Sequence, residues 1–184
     1  MPTHPLWSTM NPVRAHAILT DTQRGNKRMY RSVVESLAPG IGRRVPVIME
    51  MPKLERHAAF AQLLAQPMAE DLGFNVLSQW LVQEHAPMLC DWLDALGIGH
   101  DEKGCAKSFP DCPPAEKIRA AADALLAKYE PELVTVYLTA FNEIDEVGWE
   151  PLAKLLAEDA RLQLAAADPP EGVAKGTGEG SPET

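Results

Sequence analysis

Apolar residues recur every three or four positions along most of this chain, and prolines stand at the joints between the periodic stretches. From Asn26, the residues Tyr30, Val33, Val34 and Leu37 fall on one helical face, and Pro39-Gly40 closes the segment. Pro52 opens a stretch with Leu54, Ala58, Ala61, Leu64 and Ala65 on one side. Pro67 opens another, striped by Met68, Leu72, Val76, Leu77, Trp80 and Leu81, which Pro87 interrupts. Leu89, Cys90, Leu93 and Leu96 then lead to Gly97.

Beyond a polar stretch at 97–112, Pro113-Pro114 begins a helix carrying Ile118, Ala122, Leu125, Leu126 and Tyr129. Pro131 starts the next, with Leu133, Val134, Tyr137, Leu138 and Phe141. A turn at Asp145 to Gly148 precedes Pro151 and the last stripe, Leu152, Leu155, Leu156 and Leu162. Near the other end, Asn11-Pro12 caps and starts a short helix towards Leu19. Val45–Met49 reads equally as a short strand or the opening turn of a helix.

The pattern predicts an all-α fold. Six to seven helices with short connections form one antiparallel or orthogonal bundle over residues 12–165. Residues 1–11, with Pro2 and Pro5 and no periodicity, are expected to be an extended arm. Residues 166–184, rich in Gly, Pro and Glu, lack the apolar surface to offset chain entropy and are expected to be disordered.

Composition agrees with this picture. A chain of 184 residues can bury a stable core without a metal or a disulfide. Three cysteines make no disulfide framework, the start lacks a basic and then apolar leader, and no apolar run is long enough for a membrane. A cytoplasmic protein with no membrane contact is therefore expected.

Charge changes the picture more. Residues 1–57 hold nine Lys/Arg and four Asp/Glu, a net +5, whereas residues 58–184 hold eight and twenty-two, a net −14. The basic residues gather at Arg24, Lys27, Arg28 and Arg31, with Arg43 and Arg44 after Gly40-Ile41-Gly42. If one helix runs through the first four, they share about a third of its circumference. Lys27 and Arg28 stand near a helix N-terminus, where the macrodipole already favours anions. These six residues are the candidate contact for a phosphate, nucleic acid or acidic protein. The alternative is a solvated face, or pairing with the chain's own acidic helices.

Other candidates carry less chemistry. His100, Cys105 and Cys112 offer imidazole and thiolate to zinc, but at none of the spacings that metal sites favour, so no metal and no cofactor is expected. Asp91 and Asp94 share a helical face, Glu84-His85 precede them, and Glu143, Asp145 and Glu146 cluster at a turn. Such sets are usually solvated surfaces. Among the tryptophans, Trp80 belongs to a core stripe and Trp92 to the edge of one. Trp7 either marks a contact surface or folds back on the body. The Gly-x-Gly pairs at 40–42 and 97–99 lack phosphate-loop spacing, and no hydrolase or zinc-protease motif is present.

The functional expectation is a non-enzymatic protein-interaction or accessory module that binds a protein partner or itself. Two alternatives stand beside it. One is a nucleic-acid-binding regulator using the basic 24–44 segment, the other an enzyme of unfamiliar type with an acidic and histidine-lined pocket.

Overall fold

The computed structural model describes residues 2–164, so the tail at 166–184 lies outside the described residues. The helices are α1 (His4–Thr9), α2 (Pro12–Gly25), α3 (Lys27–Ile41), α4 (Val45–Glu50), α5 (Lys53–Leu64), α6 (Glu70–Glu84), α7 (Ala86–Leu96), α8 (Ala115–Lys128), α9 (Pro131–Asn142) and α10 (Glu150–Glu158). Short 3-10 turns cover Pro67–Ala69 and Ala160–Leu162. Among the described residues there is no strand, only an isolated bridge between His100 and Ala106. The class is all-α, as expected.

Among the described residues ten helices replace the six to seven predicted. Two of the additions, α1 and α4, are six residues each, too short to display a periodic face. Val45–Met49 is thereby settled as helix, with Pro46 in its first turn, where the missing N–H costs nothing. Prolines occupy the first turn of α1, α2, α7, α9 and α10 as well, and stand at the N-cap of α5 and α8. In α3, Pro39 lies inside the helix instead of ending it. The stop is Gly42, at φ 70°, whose N–H bonds the Ala38 carbonyl.

Two packed groups meet at α6. On one side α2 lies against α3, α5 and α6, with α1 wedged on α5 and α6. On the other, α7 packs on α8, and α10 on α8 and α9. α9 is the central helix of that second group, with every residue from Leu133 to Asn142 buried.

The first eleven residues are not an extended arm. Thr3 is buried, and its N–H (2.5 Å) and hydroxyl both donate to Oε1 of Glu70 on α6. His4 N–H reaches Oε2 at 2.9 Å. One carboxylate thus satisfies the open N–H groups at the start of α1. The helix then buries Leu6 and Trp7, with Met10 just after it, so Trp7 belongs to the core. Trp92 likewise moves from the expected edge to full burial.

α5 is turned relative to its predicted face. Arg56, His57, Phe60 and Leu64 point inward, while Leu54 is 68% exposed and Ala58 is exposed. The cause is what α5 meets. Phe60 packs edge-on against Tyr30 with ring centroids 6.2 Å apart, and the polar heads of Arg56 and His57 find partners there. Phe60 and the Arg56 stem bury more apolar area than the alanines they displace. Met68, expected in the α6 stripe, is instead 92% exposed, because Pro67–Ala69 forms its own turn.

Candidate functional site

The basic segment is split by Asn26. Its side chain accepts the Met29 N–H at 2.9 Å and so caps α3, and its amide donates to Gln79. Arg24 therefore ends α2, while Lys27, Arg28 and Arg31 begin α3, and the single continuous helix considered for all four does not exist.

The split sorts the six candidates. Arg24 turns to Asp21 (3.1 Å) and to Glu84 (3.3 Å), an internal pairing. Arg31 pairs with Glu35 one turn along α3 at 2.8 Å, and that pairing raises its pKa. Lys27, Arg28, Arg43 and Arg44 are exposed and form no ion pair among the described residues. Pairing with the chain's own acidic groups thus accounts for two of the six residues and leaves four solvated. Arg14, not among the candidates, is the cation that docks on α9, through Glu130 and Glu132 (3.4 Å).

A groove of about 520 Å³ runs beside these cations. Lys27, Arg31 and Glu35 line it from α3 and Gln23 from α2, while Tyr30, Val34, Val45 and Met49 supply its apolar surface. Arg43 and Arg44 sit in the turn that leads into α4, next to Val45. Val47 and Met49 remain 45% and 42% exposed, so α4 presents apolar surface beside the positive charge.

Behind the groove lies a positive charge that the sequence did not reveal. Arg56 is buried, 5% exposed. Its Nε donates to the Tyr30 hydroxyl at 2.9 Å, and its Nη1 to the Met49 and Met51 carbonyls at 2.8 and 3.3 Å. No carboxylate among the described residues pairs with it. The guanidinium is thus held by neutral acceptors, and two of the residues it donates to, Tyr30 and Met49, also line the groove. The Tyr30 hydroxyl also lies 3.0 Å from Nε2 of His57. Burial, followed by the charges of His16, Arg56 and Lys53, lowers the His57 pKa to about 4, so the ring is neutral near pH 7. Residue 56 could have been singled out only by asking why Arg-His breaks an otherwise apolar rotation of α5. Tyr30, Val34 and Met49 looked like ordinary core positions.

The remaining candidates do not converge. Both ring nitrogens of His100 are engaged, Nδ1 with the Asp101 carbonyl (2.7 Å) and Nε2 with Asp94 (3.1 Å). Cys112 Sγ faces the Pro113 carbonyl at 3.4 Å. Among the described residues no three His, Cys, Asp or Glu side chains gather to hold a metal ion. Asp91 takes Lys128 and Tyr129, each at 2.5 Å, and His85 packs on Trp80 with centroids 4.5 Å apart. Asp145 and Glu146 are exposed in their turn. Cys90, expected in the core, is only partly buried, 3.8 Å from the Asp101 and Glu102 carbonyls. A hollow of about 560 Å³ between α1, α2 and α5 presents His16 and Ser8 but no carboxylate. No helix among the described residues is long and apolar enough to cross a membrane.

Comparison with protein-family models, curated proteins and solved structures finds no match for the chain.

Proposed function

We propose that this protein is a non-enzymatic interaction module whose groove between α3 and α4 docks an acidic amphipathic segment of a partner protein. One observation carries the reading. Lys27, Arg28, Arg43 and Arg44 are solvated and unpaired among the described residues, and Lys27 lines a groove whose surface is mainly apolar and whose residues Tyr30 and Met49 are held from behind by the buried Arg56. Rim cations steer an acidic partner and set its register, while Val45 and Met49 take its apolar side chains. A phosphate backbone alone would make no use of that apolar surface, which favours a protein over a nucleic acid.

The test is fluorescence anisotropy with four labelled probes: a synthetic amphipathic helix bearing Glu on its polar face and Leu on the other, the same helix with Lys for Glu, a short DNA duplex and a DNA single strand. The acidic helix binds and weakens as salt rises, and the basic helix does not bind. Tighter binding of either DNA at the same salt would replace this reading by the nucleic-acid one. No binding of the acidic helix at low salt would end it.

A further inference from the structure

A cavity lined from α6, α7 and α9 has a different chemistry. It is a half-open space of about 250 Å³ between α6, α7, α9 and the 104–109 stretch. Leu81, Val82, Leu93, Phe109, Tyr137 and Phe141 form most of its wall, and no charged side chain lines it. Ser78 and the exposed Cys105 add the polar atoms nearest solvent.

Tyr137 is the informative residue. It is 4% exposed, it lines the cavity, and among the described residues no hydrogen bond engages its hydroxyl. Burial pushes its pKa well above the usual value, with a lesser contribution from Cys90, so the phenol stays protonated and able to donate. Unlike Trp92 Nε1, this hydroxyl is not sealed from solvent, so a water or a ligand in the cavity can meet it. Behind it, Trp92 stacks edge-on against Tyr137 and Phe141, at 6.5 and 5.8 Å between centroids, and its own Nε1 has no partner either.

Size and charge define the occupant. A dry apolar cavity of about 150 Å³ takes one benzene, so the larger space here suits two fused or linked rings. It lies below the usual range for larger organic ligands, roughly 300–1,000 Å³. No cation among the described residues lines the space, so an anion entering it would lose its water without gaining a partner. We propose that this cavity binds a neutral two-ring aromatic molecule carrying one hydrogen-bond acceptor, which takes the Tyr137 hydroxyl.

The covering stretch is shaped for the purpose. Asp101 Oδ1 accepts the N–H groups of Lys103 and Cys105, both at 2.9 Å. Gly104, at φ 72°, lies so close to α7 that an added Cβ would stand 2.3 Å from Leu89 Cβ. Glycine there lets the segment roof the cavity without prising it from α7.

The experiment titrates the full chain with the two-ring fluorophore 2-methoxynaphthalene, whose ether oxygen is an acceptor, followed by its fluorescence, and with the related anion 2-naphthalenesulfonate. Naphthalene and 1-naphthol compete as displacers. Saturable one-to-one binding of the neutral probe is expected, with a Kd on the order of micromolar. The sulfonate should bind about tenfold more weakly or worse. Tyr137→Phe should weaken 1-naphthol about fivefold relative to naphthalene. Ala106→Phe fills the space from the roof and Val82→Phe from α6, and each should abolish binding while circular dichroism stays native. If neither variant folds, alkylation of Cys105 in the otherwise wild-type chain supplies the readout, and the neutral probe should slow it. The proposal is overturned by any of four results: no saturable binding, sulfonate binding as tight as the neutral probe, retention of binding in a folded filled variant, or Cys105 alkylation unaffected by saturating probe.

Discussion

The Arg56 guanidinium donates to the Tyr30 hydroxyl at 2.9 Å, and that hydroxyl in turn lies 3.0 Å from His57 Nε2. The phenol accepts from a cation and faces a neutral imidazole, whose ring proton then sits on Nδ1, towards the His16 backbone. This chain spans the space between the groove, which Tyr30 lines, and His16, whose ring centroid is 4.8 Å from that of His57.

Tyr30→Phe removes the shared hydroxyl and leaves Arg56 Nε and His57 Nε2 without it. A loss of about 1–3 kcal/mol in urea denaturation is expected, since stranded buried polar groups cost more than the hydrogen bond itself returns. Arg56→Met keeps the apolar stem and deletes the unpaired charge but strands the Met49 and Met51 carbonyls, so the two effects offset in part and its loss should not exceed that of Tyr30→Phe. A destabilisation by Arg56→Met larger than that of Tyr30→Phe would contradict this account of the cluster.

The same cluster sets a pH dependence. His57 takes a proton near pH 6.5 when unfolded but only near pH 4 when folded, so the unfolded chain binds more protons between those values. Stability should rise with pH from about 4 to 6.5 and level off above. The part due to His57 is roughly 3 kcal/mol. Burial also lowers the His85 pKa, with Arg14 adding to it, so His85 contributes in the same direction. The difference between wild type and His57→Gln isolates the His57 share. Parallel stability curves for the two proteins across that pH range would refute it.

Glu70→Ala opens the start of α1. Burial alone would raise the Glu70 carboxyl, but hydrogen bonds from Thr3 and His4 outweigh it and hold the pKa below its usual value. That stabilisation is present at neutral pH and is lost as pH falls through the folded pKa. In Glu70→Ala, hydrogen exchange over residues 3–10 should quicken and tryptophan emission should shift red as Trp7 meets water. Unchanged exchange would mean that apolar packing alone holds α1.

Much of the fold was legible because its signals were local. The stripes of α3, α8, α9 and α10 and the prolines that open their helices needed no tertiary knowledge, and Asp145–Gly148 is the turn its residues suggest. What was hidden depended on distant partners. α1 exists because Glu70, far along the chain, caps it, and α5 turns because Tyr30 awaits Arg56 and His57. The candidate cations were visible as a charge cluster, but their division into Arg24 and Arg31, already paired, and four with no ion pair among the described residues depended on where Asn26 breaks the helix. The groove and the Tyr137 cavity are products of packing between helices, which no periodicity announces.

The central claim is that the four solvated cations guide an acidic segment into the α3–α4 groove. Its most direct test is the affinity of the acidic amphipathic helix for the quadruple variant Lys27→Glu, Arg28→Glu, Arg43→Glu, Arg44→Glu, with melting temperature as the control for folding. These side chains make no ion pair among the described residues, so the fold should tolerate the change. The account predicts an unchanged melting temperature and affinity lower by about thirtyfold or more, which corresponds to about 0.5 kcal/mol for each rim charge. Equal affinity for the wild type and the folded variant would contradict it.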